Sequence, residues 1–137
     1  MELTYEELLN LDDLCEFEPD QIVNLLGIIF ETGRENRNIL DIKKGLIFSE
    51  KQDLVLFSSH DKMIFHYNVA NGWSYLQVLN QNHDPAVLWK IDFEELEKQI
   101  INLRLALKYS HAVKDNFNKC QILTNLGNFT LCTCTLR

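Results

Sequence analysis

A chain of 137 residues with 46% hydrophobic and 24% charged residues can bury a core, and this composition excludes wholesale disorder. Its apolar runs are only a few residues long and no secretory leader precedes them, so we expect no membrane span and a cytoplasmic location. We predict one domain over residues 1–137, with an acidic helical region at 1–33 and an α+β body at 34–137.

The charge is unevenly distributed along the chain. The net charge is −7, but residues 1–33 contain nine acids and no base, whereas residues 34–137 contain eleven acids and thirteen bases. A long region with one sign of charge influences which partners a protein attracts, rather than which fold it adopts. Because binding to phosphates needs a basic surface, we expect no direct binding of nucleic acid.

Two helices are predicted in the acidic region. The first, from about Tyr5 to Cys15, is amphipathic, with Leu8 and Leu11 on the side opposite Glu6 and Asp13.

The second predicted helix has a proline in its first turn, where the missing N–H is not needed, and ends near a glycine cap. These two residues are Pro19 and Gly33. Its apolar stripe comprises Ile22, Leu25, Leu26 and Ile29, widened by Val23 and Phe30.

Short runs rich in β-forming residues follow Leu46 and predict an antiparallel meander. The runs are LIF, LVLF, MIFHYNV and WSYLQVL, separated by polar segments. Met63, Phe65, Tyr67 and Val69 would share one face of a strand, and Asn71-Gly72 has the composition of a tight turn.

A long amphipathic helix is predicted to begin after an N-cap at Asp92. Its core stripe comprises Phe93, Leu96, Ile100, Leu103 and Leu107. A second apolar stripe of Ile101, Leu105 and Tyr109 lies on another side, where it would contact either the N-terminal helices or a second molecule, which makes it a candidate homodimer contact.

The C-terminal residues predict a β-hairpin that turns at Gly127-Asn128 and joins or extends the sheet. The predicted order of two helices, a meander, a helix and a hairpin gives an α+β fold class.

Cysteines and histidines are the residues most suited to chemistry. Cys132 and Cys134 would share a strand face and offer two sulfurs to a metal, but Cys15, Cys120 and the histidines supply no recognised spacing for the remaining ligands. We therefore expect buried thiols and no metal or cofactor. His66 is expected on the polar side of a strand. The chain also lacks nucleotide-binding and nucleophile motifs, so we expect a non-enzymatic protein.

The leading hypothesis is a small acidic protein that blocks a basic partner, such as a nuclease or a nucleic-acid-guided defence complex, as an immunity protein or a phage-encoded inhibitor does. The candidate partner-binding acids are Glu6, Asp12, Asp13, Glu16, Glu18 and Asp20. The same acids also suit an ordinary solvated helix face, and both interpretations stay open. The alternatives are a dimeric chaperone-like or structural interaction module, and an enzyme or metal protein built on Cys132, Cys134 and a histidine.

Overall fold

The computed structural model describes the backbone of residues 17–81 and 93–135, and side chains within residues 17–80 and 94–127. Five α-helices occur there and no strand does, so the predicted α+β class, with its meander and hairpin, is wrong. The helices are α1 (Pro19–Glu35), α2 (Ile39–Glu50), α3 (Ser59–Gln81), α4 (Phe93–Val113) and α5 (Asn116–Thr135).

Helix α3 lies at the centre, with α1 and α2 on one side and α4 on the other, and α5 packs against α4. Two apolar clusters fill the spaces between these layers. The first, between α1, α2 and α3, comprises Ile22, Val23, Leu26, Ile29, Phe30, Ile42, Leu46, Phe57, Phe65, Val69, Leu76 and Leu79. The second, between α3, α4 and α5, comprises Met63, Ala70, Leu103, Ala106 and Ile122.

The two helices predicted in the described part of the chain are confirmed. Helix α1 begins at Pro19 and buries its predicted stripe, although Leu25 is only half-buried. Helix α4 covers Phe93–Val113 and buries Leu96 and Leu103. The predicted helix over residues 5–15 and the N-cap at Asp92 lie outside the described residues.

The central position of α3 explains why its sequence predicts a meander. No residue from Met63 to Gln77 is exposed, because Phe65 and Val69 pack towards α1 and α2 while Met63 and Ala70 pack towards α4 and α5. A helix that is covered on both sides has no polar face, so its sequence lacks the 3.6-residue period that identifies a surface helix.

The LVLF run belongs to neither a helix nor a strand. It lies in the connection between α2 and α3, where Phe57 is buried and Leu54 packs against the first cluster. Val55 and Leu56 are 78% and 85% exposed in the same connection.

The ring of Phe30 packs where α1, α2 and α3 meet, and two glycines make room for it. A Cβ atom added at Gly72 of α3 would lie 2.7 Å from Cε1 of this ring, and one added at Gly45 of α2 would lie 2.8 Å from the same atom. Real Cβ atoms do not approach so closely. The predicted turn at Asn71-Gly72 is therefore wrong, since Gly72 is a helical contact residue.

Two short connections use the same cap geometry. Arg37 after α1 and Lys114 after α4 both adopt positive φ angles, of 52° and 56°. Each is followed by an N-cap side chain: Asn38 Oδ1 accepts from the backbone N–H of Asp41 at 3.2 Å, and Asp115 Oδ1 accepts from that of Asn118 at 3.0 Å.

Neither the predicted glycine cap at Gly33 nor the predicted turn at Gly127-Asn128 occurs. Gly33 is not the cap of α1: it is buried inside the helix against Ile42, and its carbonyl accepts from Asn38 N–H at 2.9 Å. Gly127-Asn128 lies within α5 and does not form a hairpin turn.

We expect Gly72→Ala to lower the free energy of unfolding. Alanine in a helix gains about 0.5–1 kcal/mol over glycine, but overpacking a filled core costs about 1–3 kcal/mol. Gly127→Ala is the matched control, because nothing lies within 4 Å of its added Cβ, and it should stabilise the protein. Urea unfolding of both variants measures the difference. A stabilising Gly72→Ala would mean that the Phe30 ring yields easily.

Candidate functional site

The outer face of α1 combines acids with one exposed apolar side chain. Asp20, Asn24, Ile28, Glu31 and Glu35 are all exposed and recur at three- and four-residue steps, so they share one side of the helix. We call these five residues the acidic face. Ile28 lies near its middle and is 49% exposed.

An open groove of about 560 Å³ runs beside the acidic face, between α1 and α3. Gly27 contributes no side chain there, and an added Cβ would come to 3.5 Å from Asn68 Nδ2, an ordinary contact distance. Asn68 Nδ2 also donates to the carbonyl of Val23 at 3.2 Å, which ties the two helices together. The groove is lined by Val23, Asn24, Gly27, Ile28, Glu31, Ile64 and Asn68.

Glu31 is held in one orientation at the rim of this groove. Tyr75 Oη donates to its Oε1 at 2.7 Å, and Arg34 Nη2 donates to its Oε2 at 2.9 Å. The Tyr75 hydrogen bond and then Arg34 lower the pKa of Glu31 against the opposing effect of burial, so this carboxylate is ionised at neutral pH. Burial, with the contact to Glu31, raises the pKa of Tyr75 to about 12.

Arg34 reduces the charge of this rim only partly. Both members of the Arg34–Glu31 pair are about half exposed, so solvent screens the attraction between them. Residues 17–35 contain four acids and one base, a net charge of −3.

Two of the six predicted partner-binding acids fall on described residues. Glu18 and Asp20 are exposed at the start of α1, where the Glu18 N–H donates to Gln21 Oε1 at 2.9 Å and so caps the helix. Asp20 belongs to the acidic face. The other four, Glu6, Asp12, Asp13 and Glu16, lie outside the described residues.

Sequence reasoning did not identify Ile28, Glu31, Asn68 or Tyr75 as site residues. The sequence does mark Ile28 as unusual, because this apolar residue lies outside the predicted apolar stripe and shares its side of the helix with polar residues. No sequence pattern marks Tyr75, because it contacts Glu31 from another helix, 44 positions away in the chain.

The predicted dimer stripe on α4 does not form one exposed surface. Ile101 is 47% exposed and Leu105 is half-buried, but Tyr109 packs against the second apolar cluster. Dimerisation through these residues stays a prediction.

His66 is not on a polar surface as expected, but buried between α3 and α4. Its Nδ1 lies 3.0 Å from Asn102 Oδ1, and its ring stacks on Tyr109 with the centroids 6.0 Å apart. Because Asn102 Nδ2 already donates to Lys98 O at 2.8 Å, its oxygen must accept, and Nδ1 of His66 carries the proton.

Two cations flank the ring of Tyr109, which is half-buried beside His66. Lys62 and Lys108 place their Nζ atoms 5.4 and 5.6 Å from the Tyr109 ring centre. Burial lowers the pKa of His66, with Lys62 adding to the effect and the Asn102 hydrogen bond opposing it. The cluster offers no nucleophile or carboxylate partner among its described contacts, so it supports a structural role.

We expect the free energy of unfolding to fall as the pH drops below the ordinary histidine pKa of 6.5. With the folded-state pKa lowered, the unfolded chain binds a proton first, and stability decreases until the folded-state pKa is also passed. His66→Gln should remove this part of the pH dependence, whereas His111→Gln, at an exposed site, should retain it. Urea unfolding between pH 5 and 8 measures the free energy of unfolding as a function of pH. Equal slopes of this dependence in the two variants would contradict its assignment to His66.

The expectation of buried thiols can be compared with the structure at one cysteine. Cys120 is exposed, so the prediction of a buried thiol is wrong there. The backbone of Cys132 and Cys134 lies within α5, so the strand on which they were expected does not form. Cys15 and His83 lie outside the described residues. Within the described residues, no three His, Cys, Asp or Glu side chains are grouped so as to hold a metal ion.

Comparison with known protein families, curated proteins and solved structures found no match. None of the helices in residues 17–81 and 93–135 combines the length and the apolar composition that a membrane span requires.

Proposed function

We propose that this protein acts in the cytoplasm as a small non-enzymatic binding protein whose acidic face docks on a basic protein partner and blocks it. The observation that carries the proposal is the exposed Ile28, which stands among acids beside an apolar groove. A helix face that is merely solvated would account for the acids, but not for the exposed Ile28 or for the groove beside it.

The arrangement has the features of an interface centre. Binding energy at protein interfaces is concentrated in a few apolar or aromatic anchors surrounded by a polar rim. Here Ile28 and the groove would exclude water, while Asp20 and Glu35 would supply charge at either end of the face. Charges of one sign speed the approach of an oppositely charged partner.

The partner we propose presents an apolar side chain flanked by Lys or Arg. Proteins that bind nucleic acid carry such basic surfaces, because they must neutralise phosphates. An acidic protein that occupies this surface excludes the nucleic acid, so a nuclease or a nucleic-acid-guided defence complex is the class of target we propose. An immunity protein or a phage-encoded inhibitor would act in this way.

The test uses the full chain and a synthetic 18-residue amphipathic peptide of Leu and Lys. We expect the peptide to shift the backbone amide resonances of Gly27, Ile28 and Asn68, and to bind more weakly as salt is raised, because the attraction between exposed charges is screened. Ile28→Ser should lower the affinity about tenfold, the loss typical of a central interface residue.

Leu123→Ser is the matched control, since Leu123 is 46% exposed but lies on α5. Its affinity should equal that of the wild type. Equal weakening by Ile28→Ser and Leu123→Ser would contradict the proposal, as would resonance shifts that spare the groove.

A further inference from the structure

The outer face of α2 presents apolar and basic side chains together. Leu40, Lys43, Lys44 and Ile47 are exposed at spacings that place them on one side of the helix, and the exposed C-cap residue Lys51 follows four positions after Ile47. Leu40 is 61% exposed and Ile47 is 54% exposed. We call these five residues the basic face.

Packing explains why this side of α2 points outward. Ile42, Gly45, Leu46 and Ser49 are buried on the opposite side, where Gly45 meets the Phe30 ring. In the connection that follows the helix, Val55 and Leu56 are exposed as well.

The charge of the basic face is opposite to that of α1. Its three lysines are exposed, whereas Asp41 of the same helix is buried. Glu50 is exposed but has its Oε1 within 3.8 Å of Lys98 Nζ on α4. The face therefore attracts an acidic partner. Leu40 and Ile47 offer apolar contacts to the same partner.

We infer that the basic face is a docking surface for an acidic amphipathic helix of another protein. Leu40 and Lys51 are eleven positions apart, which corresponds to about 16 Å or three helical turns and suits one ridge of a partner helix. Leu40 and Ile47 would pack against its apolar side, and the lysines would meet carboxylates at its margins.

An anionic membrane fits these residues less well. Basic residues beside exposed aliphatic ones can bind lipid surfaces. However, the chain has a net charge of −7 and no base before Arg34, so most of its surface charge would be repelled by anionic lipid. The inference concerns a different face from the proposed function, with the opposite charge, and it does not depend on that proposal.

The test combines the full chain with a synthetic 18-residue amphipathic peptide of Leu and Glu. We expect this peptide to shift the backbone amide resonances of residues 40–51. Ile47→Ser should weaken binding about tenfold. Leu123→Ser is the matched control, because Leu123 is 46% exposed but lies on α5, and it should leave the affinity unchanged.

Evidence for any of three other occupants of the basic face would overturn the inference. Binding to phosphatidylglycerol vesicles that depends on Ile47, without peptide binding, would indicate a lipid surface. Carbodiimide cross-links that join the lysines of the basic face to acids of residues 1–16 in one chain would assign the face to the protein itself. The same cross-links between two copies would assign it to self-association.

Discussion

The fit of the Phe30 ring between Gly45 and Gly72 is the contact on which the arrangement of the first three helices depends. Interiors are close-packed, and a ring that is 1% exposed has little freedom to move. Each glycine gives up about 1 kcal/mol of helix propensity relative to alanine, and the approach of three backbones around one ring offsets this cost.

This packing determines which sides of α1 and α2 remain outside. The Phe30 side of α1 turns inward, so Ile28 and Glu31 face outward next to α3. Because Gly45 must face the same ring, Lys44 and Ile47 face away from the core. The acids of α1 and the lysines of α2 therefore occupy two separate surfaces, although the two helices are consecutive in the chain.

The other side of α3 is held partly by polar contacts. His66 pairs with Asn102, and Gln77 Oε1 accepts from Gln99 Nε2 at 2.8 Å. Paired polar groups of this kind tie two long helices in one register, because a shift along the axis would leave them buried without partners. The α3–α4 contact is thus more specific than an all-apolar contact would be.

The sequence by itself determined the elements whose pattern is local. Pro19 and the apolar stripe of α1, and the stripe of α4, identify helices because each has one buried and one exposed side. Only the tertiary structure decided that α3 is a helix, since burial on both sides removes its polar face, and that Gly72 packs rather than turns. The tertiary structure also brought together the candidate site, because Glu31 contacts Tyr75 across 44 positions of the chain, a pairing that no local pattern encodes.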